Sequence, residues 1–217
     1  MHNPAPTATP IHPHLRDRWS PRAFDPRPVP DAMLRALFEA ARWAPSSANN
    51  QPWRFVVARA AAEPEAHAAF VACLNAGNRR WAIRAPVLAF ACAKRTVERP
   101  DRPPRDNAHA WYDLGQAVAH LSVQATAEGL IVHQMAGFDA AAARAACGVP
   151  DGFDVVTAVA IGFAGELEAL DEDLREREVA PRVRRPLVET VWRGAWDVHA
   201  AWADDDGIER IDPARPR

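Results

Sequence analysis

The chain has 217 residues, of which 48% are hydrophobic and 25% are charged, and its formal net charge is −2. These proportions are those of a folded globular chain, and they exclude wholesale disorder, collagen and a coiled coil. The small net charge gives no electrostatic reason to expect a nucleic-acid partner.

The sequence also lacks the features of membrane and secreted proteins. No run approaches the about 20 apolar residues that a membrane-spanning helix needs, and residues 1–13 have no basic start followed by an apolar run. The three cysteines, Cys73, Cys92 and Cys147, are far apart and form no C-x-x-C motif, so neither a disulfide scaffold nor a zinc site is expected. We therefore expect a cytoplasmic protein without a membrane partner.

The first third of the chain predicts an arm, a helix and a strand. Residues 1–14 are rich in proline and have no apolar periodicity, which indicates a mobile N-terminal arm. A helix is expected from Asp31, which can cap it, to the region before Pro45, because apolar residues recur there at helical spacing. Trp53–Val57 is expected to be a short strand.

The middle third predicts two helices around a buried strand and a loop. A helix is expected over Pro64–Asn75, followed by a strand over Val87–Ala93, whose continuous apolar run suits burial on both faces. The charged segment Glu98–Asn107 contains three prolines and indicates a mobile loop. The longest helix is expected over Ala108–Glu128.

The last third predicts two strands separated by a helix. The strands are Leu130–Val132 and Asp154–Phe163, and Asp139 can cap the helix between them, which ends near Cys147. Glu166–Glu178 mixes acidic and basic residues and indicates a solvated surface. Strands and helices do not alternate regularly, so the sequence favours one α+β domain over residues 15–200, followed by a tail over 201–217.

Common catalytic motifs are absent from the sequence. It has no G-x-G-x-x-G motif, no P-loop and no G-x-S-x-G motif, and its histidines form no compact ligand set. We therefore expect no metal site.

Two polar clusters remain as candidates for function. In Arg18-Trp19-Ser20-Pro21-Arg22, two arginines and a serine alternate, so in an extended segment their side chains point the same way and suit one anion. The second cluster is the stretch Ala44-Pro45-Ser46-Ser47-Ala48-Asn49-Asn50-Gln51-Pro52-Trp53, which offers hydroxyl and amide groups. Taken separately, the first cluster also fits a solvated loop and the second an ordinary capped turn.

The pairing of the two clusters resembles the FMN-dependent nitroreductase family. There an R-x-S-x-R-x-F segment is followed about twenty residues later by A-P-S-S-x-N-x-Q-P-W. The similarity continues in Asn78 and Trp81, in the segment Met135-Ala136-Gly137-Phe138-Asp139, and in Ile161-Gly162-Phe163. It covers roughly Leu15 to Trp192, nearly the whole chain.

The resemblance implies an α+β fold, with a central antiparallel sheet between helical layers, and an intertwined homodimer with FMN at its interface. Arg18 and Ser20 would bind the FMN phosphate together with Arg182 and Arg184, and Arg22 would lie near N1 and the C2 carbonyl of the flavin. Residues of the second cluster, namely Pro45, Ser46, Ser47 and Asn49, would come from the other subunit. The backbone N–H of Ala136 or Gly137 would bond flavin N5. The full set of implied cofactor-binding residues is Arg18, Trp19, Ser20, Arg22, Pro45, Ser46, Ser47, Asn49, Gln51, Asn78, Met135, Ala136, Gly137, Arg182 and Arg184.

The activity that the resemblance implies is transfer of hydride from NADH or NADPH to the flavin, and from there to a nitroaromatic, a quinone or a similar acceptor. Because the flavin carries this chemistry, no catalytic side chain is implied. Two alternatives stay open. One is a specialised flavoenzyme of the same fold, acting as a dehydrogenase, a dehalogenase or a flavin-destroying enzyme, and the other is a non-catalytic flavin-binding protein.

Overall fold

The computed structural model describes residues 3–204, which form one main sheet, a separate hairpin and seven α-helices. The strands are β1 (Phe24–Asp25), β2 (Trp53–Arg59), β3 (Val87–Lys94), β4 (Thr96–Arg99), β5 (Arg102–Asp106), β6 (Ile131–Met135) and β7 (Phe153–Ala164). The helices are α1 (Pro13–Asp17), α2 (Asp31–Arg42), α3 (Pro64–Cys73), α4 (Ala76–Ala82), α5 (Ala110–Ala127), α6 (Ala140–Cys147) and α7 (Glu172–Val179).

Strand β7 is the centre of the main sheet. Its 12 residues pair with β3 on one side and with β1 and β6 on the other, and β2 forms the edge beyond β3. Every one of these pairs is antiparallel. The length of β7 fixes the distance between the two ends of the sheet, where the polar clusters lie.

Strand β3 explains why the sheet lies between two helical layers. Leu88 and Phe90 belong to one core cluster, which includes side chains of α3 and α7. Ala89 and Ala91 belong to a second cluster on the opposite face, which includes α2 and α5. The alternation of a strand sends successive side chains to opposite faces, and here both faces are apolar. The predicted α+β fold with a mainly antiparallel central sheet is confirmed.

The segment predicted to be a loop over 98–107 contains most of a β-hairpin instead. β4 and β5 pair antiparallel, with Thr96 opposite Asp106 and Arg99 opposite Arg102. The register shifts between Val97 and Arg99, and no residue pairs with Pro103 or Pro104. Prolines donate no N–H, so they fit a hairpin only at such irregular positions, which is why their number was a misleading signal.

Several predicted boundaries are corrected by local contacts. Pro30, not Asp31, is the N-cap of α2; Asp31 lies in the first turn, and its carboxylate accepts a hydrogen bond from Arg59 at 2.8 Å. The helix predicted over Pro64–Asn75 ends at Cys73, and Asn75 caps the next helix by accepting the N–H of Asn78 at 2.8 Å. In contrast, Asp139 caps α6 as predicted.

The prediction that Glu166–Glu178 is a solvated surface is wrong at the end of this segment. It contains α7, and Glu178 is one of the largest fully buried side chains of the described chain. Within residues 3–204, no helix is both long enough and apolar enough to cross a membrane. Most of the predicted tail, residues 205–217, lies outside the described residues, as do residues 1 and 2.

Candidate functional site

The first polar cluster has no regular secondary structure between α1 and β1, so other contacts must fix its conformation. Arg18 Nη1 donates to Ser20 Oγ at 3.3 Å, so two of the three alternating side chains meet as predicted. The guanidinium of Arg22 instead forms an ion pair with Glu178, with 3.3 Å between Nη1 and Oε2. The three side chains therefore do not share one partner.

Arginines from the distant end of the chain complete this cluster. Arg182 donates to the backbone carbonyls of Asn3, Arg16 and Arg18 at 2.8–3.0 Å. Burial and the nearby cation of Arg184 lower the pKa of Arg18. Burial, followed by the cations of Arg18 and Arg184, lowers the pKa of Arg182. We call these three residues, with Ser20, the arginine cluster.

The arginine cluster carries more positive than negative charge. Asp17 is the carboxylate that acts on Arg182, but it also accepts from Arg16 at 2.7 Å and is therefore shared. Guanidinium groups stay protonated in proteins, so these converging cations repel one another in the absence of an anion. A phosphate, with several acceptor oxygens, has the charge and geometry to bridge them.

Two side chains that sequence reasoning missed, one half-buried and one fully buried, hold the same segment. His133 of β6 contacts the carbonyl of Pro21 through Nδ1 at 3.0 Å, and its ring packs on Trp81 with 4.4 Å between centroids. Glu178 accepts from the backbone N–H groups of Arg22 and Ala23 at 2.5 and 3.1 Å. Neither residue belongs to a motif, and their partners in residues 21–23 are more than 100 positions away, so no local signal could reveal them.

His133 is also electrostatically unusual. Burial lowers its pKa to about 4, and the cations of Arg22 and Arg18 act in the same direction. At neutral pH the ring is therefore uncharged, and Nδ1 must carry its hydrogen to donate to the Pro21 carbonyl.

Residues 46–51, the central part of the second polar cluster, are fixed mainly by contacts among themselves. Ser46 Oγ accepts the N–H of Gln51 at 3.0 Å, and the Gln51 amide donates to the carbonyl and side chain of Asn49. Ala48, Asn49 and Gln51 have φ of 49°, 54° and 46°, in the left-handed region. We call this segment the polar loop.

One long-range contact joins the polar loop to the core. The carboxylate of Asp113, in the first turn of α5, accepts the N–H of Ser47 at 3.1 Å, and Asp113 is only 1% exposed. Sequence reasoning missed Asp113 because one acidic residue at the start of a helix is an ordinary feature.

Four further predicted site residues, Asn78, Met135, Ala136 and Gly137, lie in α4 and at the end of β6. Asn78 donates from its side-chain amide to the Gly137 carbonyl at 3.0 Å, so these two are brought together. A Cβ on Gly137 would lie 2.2 Å from the amide nitrogen of Asn75, which explains the glycine. Ala136 is exposed, whereas the Met135 side chain is buried in the core and cannot reach a ligand without a rearrangement.

The arginine cluster and the polar loop lie at opposite ends of β7. Phe24, which follows the first cluster, pairs with Ala164. Trp53, which follows the polar loop, pairs with Ala93, and Ala93 pairs with Asp154. The ten residues from Asp154 to Ala164 correspond to about 33 Å along a strand. One small ligand therefore cannot touch both clusters of the same chain.

Comparisons with known proteins agree with this architecture. A family model described as the nitroreductase family matches residues 15–163. A solved structure described as an oxidoreductase containing FMN superposes with a TM-score of 0.85 at 36% identity, covering 89% of this chain and 96% of that one. An uncharacterized 15.4 kDa protein of Mycolicibacterium smegmatis is 36% identical over 66% of this chain and 97% of its own length.

This chain is also similar to a relative whose name states an enzymatic activity. A protein of Stenotrophomonas maltophilia, named as an NADH dehydrogenase/NAD(P)H nitroreductase, is 32% identical over 58% of this chain and 71% of its own length. The fold thus defines the class as nitroreductase-like α+β proteins. Because the family match covers more than half of the residues, this chain belongs to the nitroreductase family.

Proposed function

We propose that the protein is an NAD(P)H-dependent oxidoreductase that uses FMN and reduces electron-poor acceptors such as nitroaromatics or quinones. The observation that carries this proposal is the arginine cluster, where burial, together with the cation of Arg184, lowers the pKa of both Arg18 and Arg182. When bound, FMN supplies the two-electron chemistry that the side chains lack.

Arg18, Ser20 and Arg184 are the residues proposed to contact the FMN phosphate. Arg18 and Ser20 are already 3.3 Å apart, and Arg184 is close enough to depress the pKa of Arg18. Arg182 uses its guanidinium for three carbonyls, including those of Arg16 and Arg18, so its main contribution is to hold this segment in place. A hydrogen bond between a guanidinium and a phosphate contributes about 1.5–3 kcal/mol.

The active form is proposed to be a homodimer. The strand positions that adjoin the two regions lie about 33 Å apart along β7, which supports placing the hydroxyl and amide groups of the polar loop at the site of a second subunit. Trp111 and Tyr112, at the start of α5 near the polar loop, are 59% and 68% exposed, which favours an apolar contact there.

The other implied residues have supporting roles in this proposal. The exposed backbone of Ala136 and the Gly137 position, fixed by Asn78, are suited to contact the flavin ring through N–H groups. Arg22 follows Pro21, whose carbonyl contacts His133 of β6, and its cation is paired with Glu178. The hydride donor is supported by relatives named as NAD(P)H nitroreductases. The cytoplasm, where NADH and NADPH are available, is the proposed location.

The visible absorption spectrum of the purified protein tests this function, followed by anaerobic addition of NADH and, separately, NADPH. We expect flavin bands that bleach promptly with at least one donor, and turnover when a quinone or nitroaromatic is added. Bands that persist with both donors would favour a specialised enzyme or a flavin-binding protein. A colourless protein that takes up no FMN would contradict the proposal.

A further inference from the structure

A buried carboxylate that the proposed chemistry does not use lies beside the arginine cluster. Glu178, near the end of α7, is 1% exposed and accepts three hydrogen bonds. Two come from the backbone N–H groups of Arg22 and Ala23, and the third comes from the Arg22 guanidinium. A buried charge persists only when it is paired and hydrogen-bonded in this way.

The backbone that Glu178 holds is the part of the site with no regular structure. Residues 18–23 lie between α1 and β1, outside any helix or strand. Arg182, four positions after Glu178, holds the other end of this segment through the carbonyls of Arg16 and Arg18. One short stretch of the C-terminal region therefore fixes both ends of the segment that contains Arg18 and Ser20.

We infer that Glu178 is a positioning residue for the phosphate subsite of the flavin. Its carboxylate sets the path of the backbone at Arg22 and Ala23, and that path places Ser20 and Arg18 beside Arg184. Glu178 itself does not touch the ligand. The inference rests on the proposed function, because it assumes that the anion bound by the arginine cluster is the phosphate of FMN.

The negative charge of Glu178 and the length of its side chain lead to different predictions for this role. If only the negative charge mattered, it would weaken binding of an anion, and a shorter side chain with the same charge would change little. If the three hydrogen bonds matter, a carboxylate shorter by one methylene cannot bridge both N–H groups and the guanidinium, and the segment relaxes. Glu178→Asp separates the two effects, and Glu178→Gln removes the charge while keeping the length.

The experiment measures the dissociation constants of FMN and of riboflavin for the apoprotein by flavin fluorescence. Riboflavin lacks the phosphate, so the ratio of the two constants reports the phosphate subsite alone. A variant that only loosens the fold weakens both ligands equally and leaves the ratio unchanged. Glu176→Asp, at an exposed position of the same helix, is the matched control.

We expect wild type and Glu176→Asp to prefer FMN by about 100-fold or more, as two charge-assisted contacts would give. Glu178→Asp should lose about tenfold or more of this preference. A change at Arg22, which Glu178 also holds, acts at the flavin ring, enters both constants alike and leaves their ratio unchanged. Glu178→Gln should lose preference too, because its amide presents N–H groups to the N–H donors of the segment.

Two outcomes would overturn the inference about Glu178, and a third would contradict the proposed function on which it rests. If wild type prefers FMN and both Glu178 variants keep the same ratio, Glu178 has no positioning role. If the apo forms of both variants are unfolded by circular dichroism, its role is global stability and the inference is also wrong. If the wild-type protein binds FMN no better than riboflavin, the arginine cluster does not bind the FMN phosphate, and the proposed function is contradicted at this point.

Discussion

The arginine cluster and the polar loop both contain backbone without regular secondary structure, but different kinds of contact hold the two in place. In the arginine cluster, the backbone of residues 18–23 is held by side chains from remote parts of the sequence, namely His133, Glu178 and Arg182. The polar loop is held mainly by hydrogen bonds within residues 46–51, and Asp113 adds one remote contact. The first region is therefore sensitive to changes far away in sequence, and the second is sensitive mostly to changes within itself.

The sharpest test of this contrast removes two guanidinium groups from the arginine cluster. The double variant Arg18→Ala with Arg184→Ala should stay folded and bind FMN about 100-fold or more weakly, because two charged contacts of about 1.5–3 kcal/mol each are lost. Fluorescence titration of the apoprotein gives the affinity. Arg175→Ala with Arg177→Ala, at exposed positions of α7, is the control with the same change in net charge.

Wild-type affinity in the Arg18/Arg184 double variant would show that the phosphate binds elsewhere. It would also remove the reason for regarding the cluster as a site.

A second test uses the pH dependence of stability at His133. The folded state lowers its pKa from 6.5 to about 4, so the neutral form is favoured on folding. This contribution is complete above pH 6.5 and is lost as the pH falls towards 4, by about 3 kcal/mol in total. Urea unfolding across this interval measures it, and His133→Gln should flatten the curve.

His120→Gln is the matched control, because His120 is exposed on α5. A pH dependence that is the same for His133→Gln as for wild type would mean that His133 is solvated and does not hold Pro21.

A third test concerns the one remote contact of the polar loop. Asp113→Ala leaves the N–H of Ser47 without its partner, and the free energy of unfolding should fall by about 1–3 kcal/mol. Denaturant unfolding measures the loss, with Asp151→Ala at an exposed position as the control. Since most of the loop is held locally, FMN affinity per subunit should change less than in the arginine double variant; an equal or larger loss would contradict the contrast between the regions.

The smallest expected effect is an increase in stability within the polar loop. Ala48 has a φ of 49°, where an L-residue is strained and glycine is not. Ala48→Gly should raise the free energy of unfolding by about 0.5 kcal/mol, after allowing for the greater freedom of the unfolded chain. Ala40→Gly, inside α2, should lower it by about 1 kcal/mol, and a loss at both positions would show that the loop does not keep this conformation.

The regular elements were accessible from sequence because their patterns are local. The apolar run of β3 predicted a strand buried on both faces, and the structure places its alternate residues in two core clusters. Asp139 predicted the start of α6 because its carboxylate accepts from backbone N–H groups two and three residues later. The hairpin over 96–106 was missed because its prolines fall in a register shift, which a pattern of residue types does not record.

Only part of the candidate site could be predicted from the sequence, again because only local patterns are visible there. Sequence identified Arg18 and Ser20, which meet each other, and the residues of the polar loop, which bond among themselves. It gave no indication of His133 or Glu178, whose contacts with residues 21–23 span 112 to 156 positions. The pairing of Arg22 with a buried acid was likewise invisible in a segment that resembled a solvated surface.

The contacts of Arg182 have a consequence for the biosynthesis of the protein. They connect it to the carbonyls of Asn3, Arg16 and Arg18, so segments more than 160 positions apart meet at one place. During translation, residues 3–18 leave the ribosome more than 160 positions before Arg182 does. The arginine cluster cannot form until Arg182 has been synthesised, so an anion that needs the whole cluster cannot assist the folding steps that precede it.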